Sequence, residues 1–402
     1  MRRFSKSFTQ QEPIAEAAIE AAVAVMRTGR LHRYNLVEGE KGETALLEQE
    51  FAASLGVPYV LACASGGYAL QLALRACGLE RGEPVLCNAF TLSPVPGSIH
   101  AAGGEAVLVD ILEDTTVDPD DLAAAARESG ARFFLLSHMR GHIGDMDAIV
   151  AVCEAHGITL IEDCAHTMGA CYDGRPSGTF GKVGCFSTQT YKHLNSGEGG
   201  LLSTEDPEVM RRAVIMSGSY MLYDRHLAAP EAETFSETRL VTPNMSGRMD
   251  NLRAAILRPQ LDELASRRQR WNTLYRRFEA GLAEMAPVET IPRPAREDFV
   301  GSSIQFHLPS LAHDEIARFV AGCEARGIPL KWYGKSQPED YTSRYDSWGY
   351  LSATRPLPNA DRLLATLCDL RLPLTFDEGD CDDIVQLMGD AMDQATDKTT
   401  PE

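Results

Sequence analysis

The sequence predicts an α/β protein in two parts: a large domain over residues 1–255 built on a mostly parallel sheet, and a smaller α+β domain over residues 256–402. Three observations carry this. Between residues 59 and 204, short apolar runs alternate with helical stretches, the pattern of strands covered on both faces by crossover helices. After Met249 the texture changes to long, charge-rich helical segments and one alternating strand. Finally, 402 residues exceed one ordinary core and suit two.

Pro13 to Met26 reads as a helix, with Pro13 in its first turn, Ile14, Ile19, Val23 and Met26 as its stripe, and Gly29 to end it. Glu43 to Leu55 reads as a second, with Leu46, Leu47, Phe51 and Leu55 on one side. Tyr59–Ala64 is the first strand, and Ser65-Gly66-Gly67 leads from it into a helix over Tyr68–Cys77. Val85–Cys87, Ala106–Val109, Phe133–Leu136 and Ile158–Ile161 follow as buried strands, with helices opened by Asp118-Pro119 and near Asp145 between them. Cys185–Ser187 and Leu201–Thr204 have the spacing of a hairpin on the same sheet. The smaller part starts with one continuous helix from Asn251 to about Met285. Ile304, Phe306 and Leu308 then alternate with Ser303, Gln305 and His307, as in a half-solvated strand. A helix over His313–Arg326, a strand at Ile328–Trp332 and a helix after Asp380 complete it.

Composition narrows the function. Lys and Arg number 38 against 57 Asp and Glu, a net charge of −19, which disfavours nucleic acid and anionic membranes as partners. An anionic ligand would have to be gathered by local cations. No apolar run approaches the roughly 20 residues of a membrane span. The basic start, Met1 to Lys6, leads into polar sequence, so no secretory signal is expected. Ten cysteines lie scattered without a CxxC pair or metal-ligand spacing. They read as buried free thiols of a reduced, cytoplasmic protein, and no metal site is expected.

Three features fall at predicted strand ends, where an open α/β sheet places its ligands. Lys192 follows the run Phe186 to Tyr191 and precedes Gly197-Glu198-Gly199-Gly200; a lysine desolvated there favours the neutral amine that condenses with an aldehyde. Asp163 ends the Ile158–Ile161 strand, where a carboxylate is costly without a cationic partner. The protonated ring nitrogen of pyridoxal phosphate is such a partner, and His166 is placed to reach the ring oxygen. Ser65-Gly66-Gly67 lets backbone approach a phosphate at a helix N-terminus, with Ser187 adding a hydroxyl. Singly, each has a structural reading: a surface lysine, a helix cap, a chain reversal. Together they stand in the order that a pyridoxal phosphate site of the aspartate-aminotransferase type requires.

From about residue 28 onward the chain resembles the DegT/DnrJ/EryC1/StrS family of aminotransferases. The matching residues include Ser65-Gly66, Thr91, Asp110, His138 with Gly141, Asp145-Met146, Glu162-Asp163 with Ala165-His166, Ser187, Lys192, Gly197-Glu198-Gly199-Gly200 and Arg248-Met249. The resemblance implies a fold-type-I protein with a mostly parallel seven-stranded sheet, and a homodimer sharing active sites between subunits. It implies that Lys192 holds pyridoxal phosphate and shuttles protons, that Asp163 pairs with the ring nitrogen, and that His166 contacts the ring oxygen. Ser65, backbone at Gly66, Gly67 and Tyr68, and Ser187 would bind the phosphate. Departures leave choices open. Gly67 stands where the family usually has Thr. Leu92 stands where an aromatic residue usually covers the ring, and Phe90 lies two positions earlier. The partner-reaching Asn aligns with Ser246, with Asn244 nearby. Lys331, Tyr333 and Arg248 are the candidate substrate contacts. The implied activity moves an amino group from glutamate or glutamine to a keto sugar, nucleotide-linked or not, with a ketocyclitol or other small ketone as the alternative acceptor. A dehydratase and a non-catalytic regulator are the rivals; the family's dehydratases carry His at the Lys192 position.

Overall fold

Seven strands form the main sheet of the computed structural model, which describes residues 2–339, 344–351 and 355–397. They are β1 (Tyr59–Cys63), β2 (Pro84–Asn88), β3 (Glu105–Val109), β4 (Phe133–Ser137), β5 (Thr159–Asp163), β6 (Val183–Ser187) and β7 (Gly200–Thr204). Their spatial order is β1-β7-β6-β5-β4-β2-β3. Only β7 runs against its neighbours, pairing antiparallel with β1 and β6; the remaining pairs are parallel. The sheet is therefore mostly parallel, and the expected hairpin is β6–β7. Register gathers one edge: Ser137 lies beside Asp163, Asp163 beside Cys185, and both Cys63 and Ser187 beside Gly200. Helices α2 (Glu43–Leu55) and α3 (Gly66–Ala76) appear where the apolar periods place them, and α1 (Glu16–Thr28) ends at Gly29 as expected but starts after Pro13 and Ile14 and buries Ala18, Ala22 and Val25 in place of the expected stripe, leaving Ile19 and Met26 exposed.

A second sheet, antiparallel, has the order β8-β9-β11-β10 from β8 (Glu289–Thr290), β9 (Ser303–His307), β10 (Lys331–Trp332) and β11 (Leu367–Arg371). One apolar cluster runs from Leu86, Phe134 and Leu160 of the main sheet through Trp271 and Phe278 to Phe306, Phe319 and Leu370. Residues at the N-terminus join the C-terminal elements: Phe4 and Phe8 meet the Phe376 ring edge-on at 5.2 and 5.0 Å.

Two local expectations are corrected. The helix after Asn251 is not continuous but breaks into Asn251–Leu261 and Leu264–Ala283. Pro259, inside the first, has no N–H for the carbonyl four residues back, and the helix ends within a turn. Strand β9 is not half-solvated; all five of its residues are buried. Its polar side faces a hydrogen-bonded layer instead of water: Gln305 pairs with His142 at 2.9 Å and donates to Asp369 at 2.7 Å.

The entry of α2 onto the sheet is held by a buried ion pair. Both Arg33 terminal nitrogens donate to Glu48, at 2.8 and 2.9 Å, and Glu48 also accepts the Ala62 N–H of β1 at 2.8 Å. Burial works to raise the Glu48 carboxyl, but Arg33 and His226 outweigh it and hold the group at about 2. With the folded value depressed, the contribution is full above the ordinary 4.5 and is lost as pH falls through about 2. Glu48→Gln strands the guanidinium and should cost about 3–5 kcal/mol in urea unfolding. The variant should also lack that segment of the acid slope of stability.

Candidate active site

The carboxyl ends of β1, β4, β5 and β6 surround a cavity of about 430 Å³. Alternation along β5 sends its last two residues to opposite faces. Asp163 lines the cavity. Its carboxylate accepts from Ser137 Oγ at 3.2 Å and from the Ala165 N–H at 3.1 Å. It has no direct ion pair among the described residues, and burial raises its pKa. Glu162 turns the other way and is filled by the protein. Phe180 and Gly181 N–H groups donate to one oxygen, each at 2.7 Å, and Gly178 N–H and His138 meet the other at 3.0 and 3.1 Å. With both oxygens so engaged, Glu162 ties His138 to the turn that leads into β6, and the neighbouring Cys164 sulfur meets Ser177 Oγ at 3.3 Å.

Lys192 reaches the cavity from the segment after β6, and its Nζ lies 2.8 Å from His166 Nε2. Burial lowers the lysine, Asp163 works against this, and Arg140 and Arg371 add to it, leaving the amine at about 7. Burial also holds His166 well below its usual range, followed by the charges of Lys192 and Arg140. The Arg140 N–H donates to His166 Nδ1 at 3.4 Å. Nδ1 is therefore an acceptor, which assigns the neutral ring's proton to Nε2, facing Lys192. In its neutral form the Lys192 amine accepts the hydrogen bond from that N–H.

The strand–Gly–Gly–helix turn forms the third wall. Ser65 caps α3 by accepting the Tyr68 N–H at 3.1 Å, and the first turn of the helix carries N–H groups without intrahelical partners. A Cβ on Gly66 would lie 2.8 Å from Ser187 Cβ, so glycine lets the helix start against β6. At Gly67 a Cβ would meet only Ser98 Oγ, at 3.7 Å.

The pattern defining the DegT/DnrJ/EryC1/StrS aminotransferase family matches residues 13–389. The chain belongs to this family. It is 34% identical over 252 residues to the L-glutamine:2-deoxy-scyllo-inosose aminotransferase of Streptoalloteichus tenebrarius, covering 62% of this chain and 59% of that protein. It is 31% identical to the pleiotropic regulatory protein of Geobacillus stearothermophilus, over 71% of this chain and 73% of that one. A third relative is the UDP-N-acetyl-3-dehydro-alpha-D-glucosamine 3-aminotransferase of Acidithiobacillus ferrooxidans, 31% identical over 58% of this chain and 59% of that protein. The chain spans 58, 59 and 64% of the length of the first three curated relatives it matches. Among solved structures, 3-amino-5-hydroxybenzoic acid synthase superposes with a TM-score of 0.81 at 22% identity, covering 96% of this chain and 98% of that one. The α/β fold expected from the resemblance is the fold these neighbours have.

Within this family fold the cavity is lined by Lys192, Asp163, His166 and Ser187, by Ser65, Gly66 and Gly67, and by Leu92. The other candidate positions lie outside its lining. Tyr68 has its N–H taken by Ser65 and its hydroxyl by the Met216 carbonyl at 3.2 Å. Phe90 is buried with its ring edge-on to Tyr333 at 5.2 Å, so both belong to the core behind the site. Lys331 pairs in β10 against Asp369. Asn244 is exposed, and Arg248 donates to the Gly218 carbonyl at 2.9 Å and Ser246 Oγ at 3.1 Å. Sequence reasoning missed Ser137, Arg140, Tyr191, Ser303 and Arg371, which also line the cavity. Ser137 was legible as the residue ending a predicted strand; Arg371 carried no signal, since only the second sheet's docking brings it here.

In protein freed of ligand, acylation of Lys192 followed by mass spectrometry should be half-maximal near pH 7, against about 10.4 for surface lysines. Asp163→Asn should move that midpoint lower, because Asp163 is the group holding it up. A Lys192 that titrates with the surface lysines would refute the assignment. Gly66→Ala should cost about 1–3 kcal/mol in thermal unfolding, while Gly67→Ala should be tolerated.

Proposed function

We propose that this protein is a pyridoxal-phosphate-dependent aminotransferase that moves an amino group from glutamine or glutamate to a ketocyclitol or keto sugar. The observation that carries the reading is the buried Lys192 amine beside His166, in one cavity with a buried Asp163 that lacks a direct ion pair. The residues fit the cofactor: Asp163 suits a protonated ring nitrogen, and the cradle that a Cβ on Gly66 would fill suits a phosphate. When bound, pyridoxal phosphate supplies an aldehyde for amines and a ring that takes up electron density from the substrate carbon.

The chain's own groups do the rest. Asp163 would keep a proton on the ring nitrogen, and Ser137 and the Ala165 N–H aim its carboxylate and favour the ionised form against its burial. Ser65, Gly66, Gly67 and Ser187 hold the phosphate, and Leu92 forms the apolar wall. Lys192 Nζ holds the cofactor at rest and, once released, carries a proton between two carbons on one face. Titrating near 7, it both takes and returns that proton at neutral pH. His166 reaches the ring oxygen and orients the lysine.

The names of the relatives support a glutamine donor and a ketocyclitol or nucleotide-linked keto sugar as acceptor. The second reading, a regulator, has the Geobacillus relative behind it. We also propose a homodimer sharing its active sites: Tyr220, Met221, Leu240 and Val241 are exposed on the segment that carries Asn244, an apolar surface suited to a second subunit. A cytoplasmic setting suits the ten free cysteines, and no described helix is long and apolar enough to cross a membrane.

Holoprotein should be yellow and should bleach when L-glutamine or L-glutamate is added, with colour returning on addition of the accepting ketone. Lys192→Ala should lower turnover by ~10²–10⁴-fold or more without loss of fold by circular dichroism. Asp163→Asn should weaken both cofactor retention and turnover. A yellow protein that no amino donor bleaches would favour the regulator.

A further inference from the structure

Lys192 sits on a loop whose base is closed on itself. Beyond β6 the Thr188 N–H donates to the Gly199 carbonyl at 2.9 Å, the Thr190 N–H to the Gly197 carbonyl at 3.0 Å, and the Ser196 N–H to the Thr188 carbonyl at 3.0 Å. The stretch from Lys192 to Asn195 is gripped from outside the loop, at two points. Gln260 makes the first grip: its Oε1 accepts the Asn195 N–H at 3.0 Å and its Nε2 donates to the Asn195 carbonyl at 2.8 Å, as a neighbouring strand would. Gln260 belongs to the helix Asn251–Leu261, which packs on α1 and α2.

The second grip is made by the residue after the lysine, and it comes from the second sheet. His193 is buried, with its Nε2 3.2 Å from Ser302 Oγ and its ring edge-on to Trp271 at 5.1 Å. Ser302 and Trp271 are joined through Leu372, the residue after β11: the Ser302 carbonyl accepts the Leu372 N–H at 3.0 Å, and Trp271 Nε1 donates to the Leu372 carbonyl at 3.0 Å. Ser302 also lines the cavity that Lys192 enters. Two charged groups face His193: Lys192 on its own loop, and Arg267, which donates to the His193 carbonyl at 3.4 Å. Burial, then the charge of Lys192, holds the imidazole down at about 3, so the ring is neutral and acts by contact rather than by charge. Behind the loop a void of about 30 Å³ is bounded by Lys192, Arg267 and Trp271, space enough for water to reach the lysine if the loop loosens.

We infer that His193 is a positioning residue for Lys192: through Ser302 and Trp271 it fastens the lysine loop to the second sheet, so that the place of the lysine Nζ depends on how that sheet is docked. Gln260 and His193 hold adjacent residues from different bodies, one from the helix on α1 and α2 and one from the ends of β9 and β11. The loop therefore spans the junction between them. The inference rests on the aminotransferase reading only in taking Lys192 as the reacting group; the fastening is a property of the chain without its cofactor.

Acylation of Lys192 across pH, read by mass spectrometry on the full chain freed of ligand, tests this. Burial is the largest effect holding the amine near 7, so a loosened loop that admits water should move the midpoint upward. His193→Ala and Ser302→Ala should each raise it by about one pH unit. The double variant should match His193→Ala alone, because both changes break the same tie. His193→Gln, whose amide can still meet Ser302, should lie nearer the wild type. In holoprotein, His193→Ala should slow bleaching by saturating L-glutamine about 10- to 100-fold and leave the half-saturating concentration unchanged. A midpoint that stays put or falls in a folded His193→Ala protein overturns the inference, as does a Ser302→Ala shift that adds in full to that of His193→Ala. Lower thermal stability with an unmoved midpoint also overturns it, since His193 would then only fill the core. If His193→Ala does not fold, Ser302→Ala decides alone, and an unmoved midpoint there overturns the fastening. Midpoints that shift as expected while no donor bleaches the wild type support the positioning role and remove the aminotransferase reading instead.

Discussion

Two neighbouring carboxylates at the end of β5 set the terms for everything around them. Glu162 and Asp163 are both buried, and an unsatisfied charge at either position would cost several kcal/mol. Strand alternation forces them to opposite faces and so to opposite fates. Glu162 is satisfied by four donors from the protein, three of them backbone N–H groups of residues 178–181. Those bonds fix the turn that starts β6, which in turn presents Ser187 and, beyond it, Lys192. Asp163 receives two donors, has no direct ion pair among the described residues, and lines the cavity. The first carboxylate is consumed by the fold; the second faces the cavity.

Asp163 is balanced against the burial of Lys192. Burial favours the neutral amine, and Asp163 favours the charged one. The two effects meet with the value near neutrality, and Arg140 and Arg371 tip it further toward the neutral form. The His166 tautomer follows from the same geometry, since a backbone N–H at Arg140 can only donate. A buried amine that titrates near neutrality thus arises from opposed fields rather than from any one contact. Around it Asp369 pairs with Arg140, Arg371 lies over the Tyr191 ring, and Asp163 acts on the amine.

Much of this was legible in the residues. The strands read clearly because a sheet covered on both faces demands unbroken apolar runs, and Asp163 and Lys192 stood out as polar groups placed where such runs end. Ser65-Gly66-Gly67 was readable because only glycine passes Ser187 at that distance. What failed to show has physical causes. Ser303, Gln305 and His307 alternate as if toward water, yet Ser303 and Gln305 bond within a buried polar layer with His142 and Asp369 while His307 meets Thr366, and one strand's pattern cannot separate a buried polar side from a solvated one. Phe90 and Leu92 lie two apart, and nothing local says which one meets the cavity; the packing of Phe90 on Tyr333 decides it. Arg371 was invisible because its place depends on how the second sheet docks onto the first.

The docking itself has an identifiable strut. Arg140 leaves the end of β4 in a left-handed turn that glycine would adopt more easily, and a buried arginine there is tolerable only because Asp369 meets it at 2.7 Å. Asp369 sits two residues before Arg371, and alternation along β11 returns both side chains to one face. The ion pair that ties the second sheet to the edge of the first therefore also sets the position of Arg371 over Tyr191. Gln305 of β9, bonded to Asp369 and to His142 from the turn after β4, adds a neutral tie between the same elements. The strained backbone at Arg140 is thus coupled at one end to the His166 ring and at the other to the wall of the cavity that holds Arg371. A change at this one residue would move the tautomer, the lysine and that wall together.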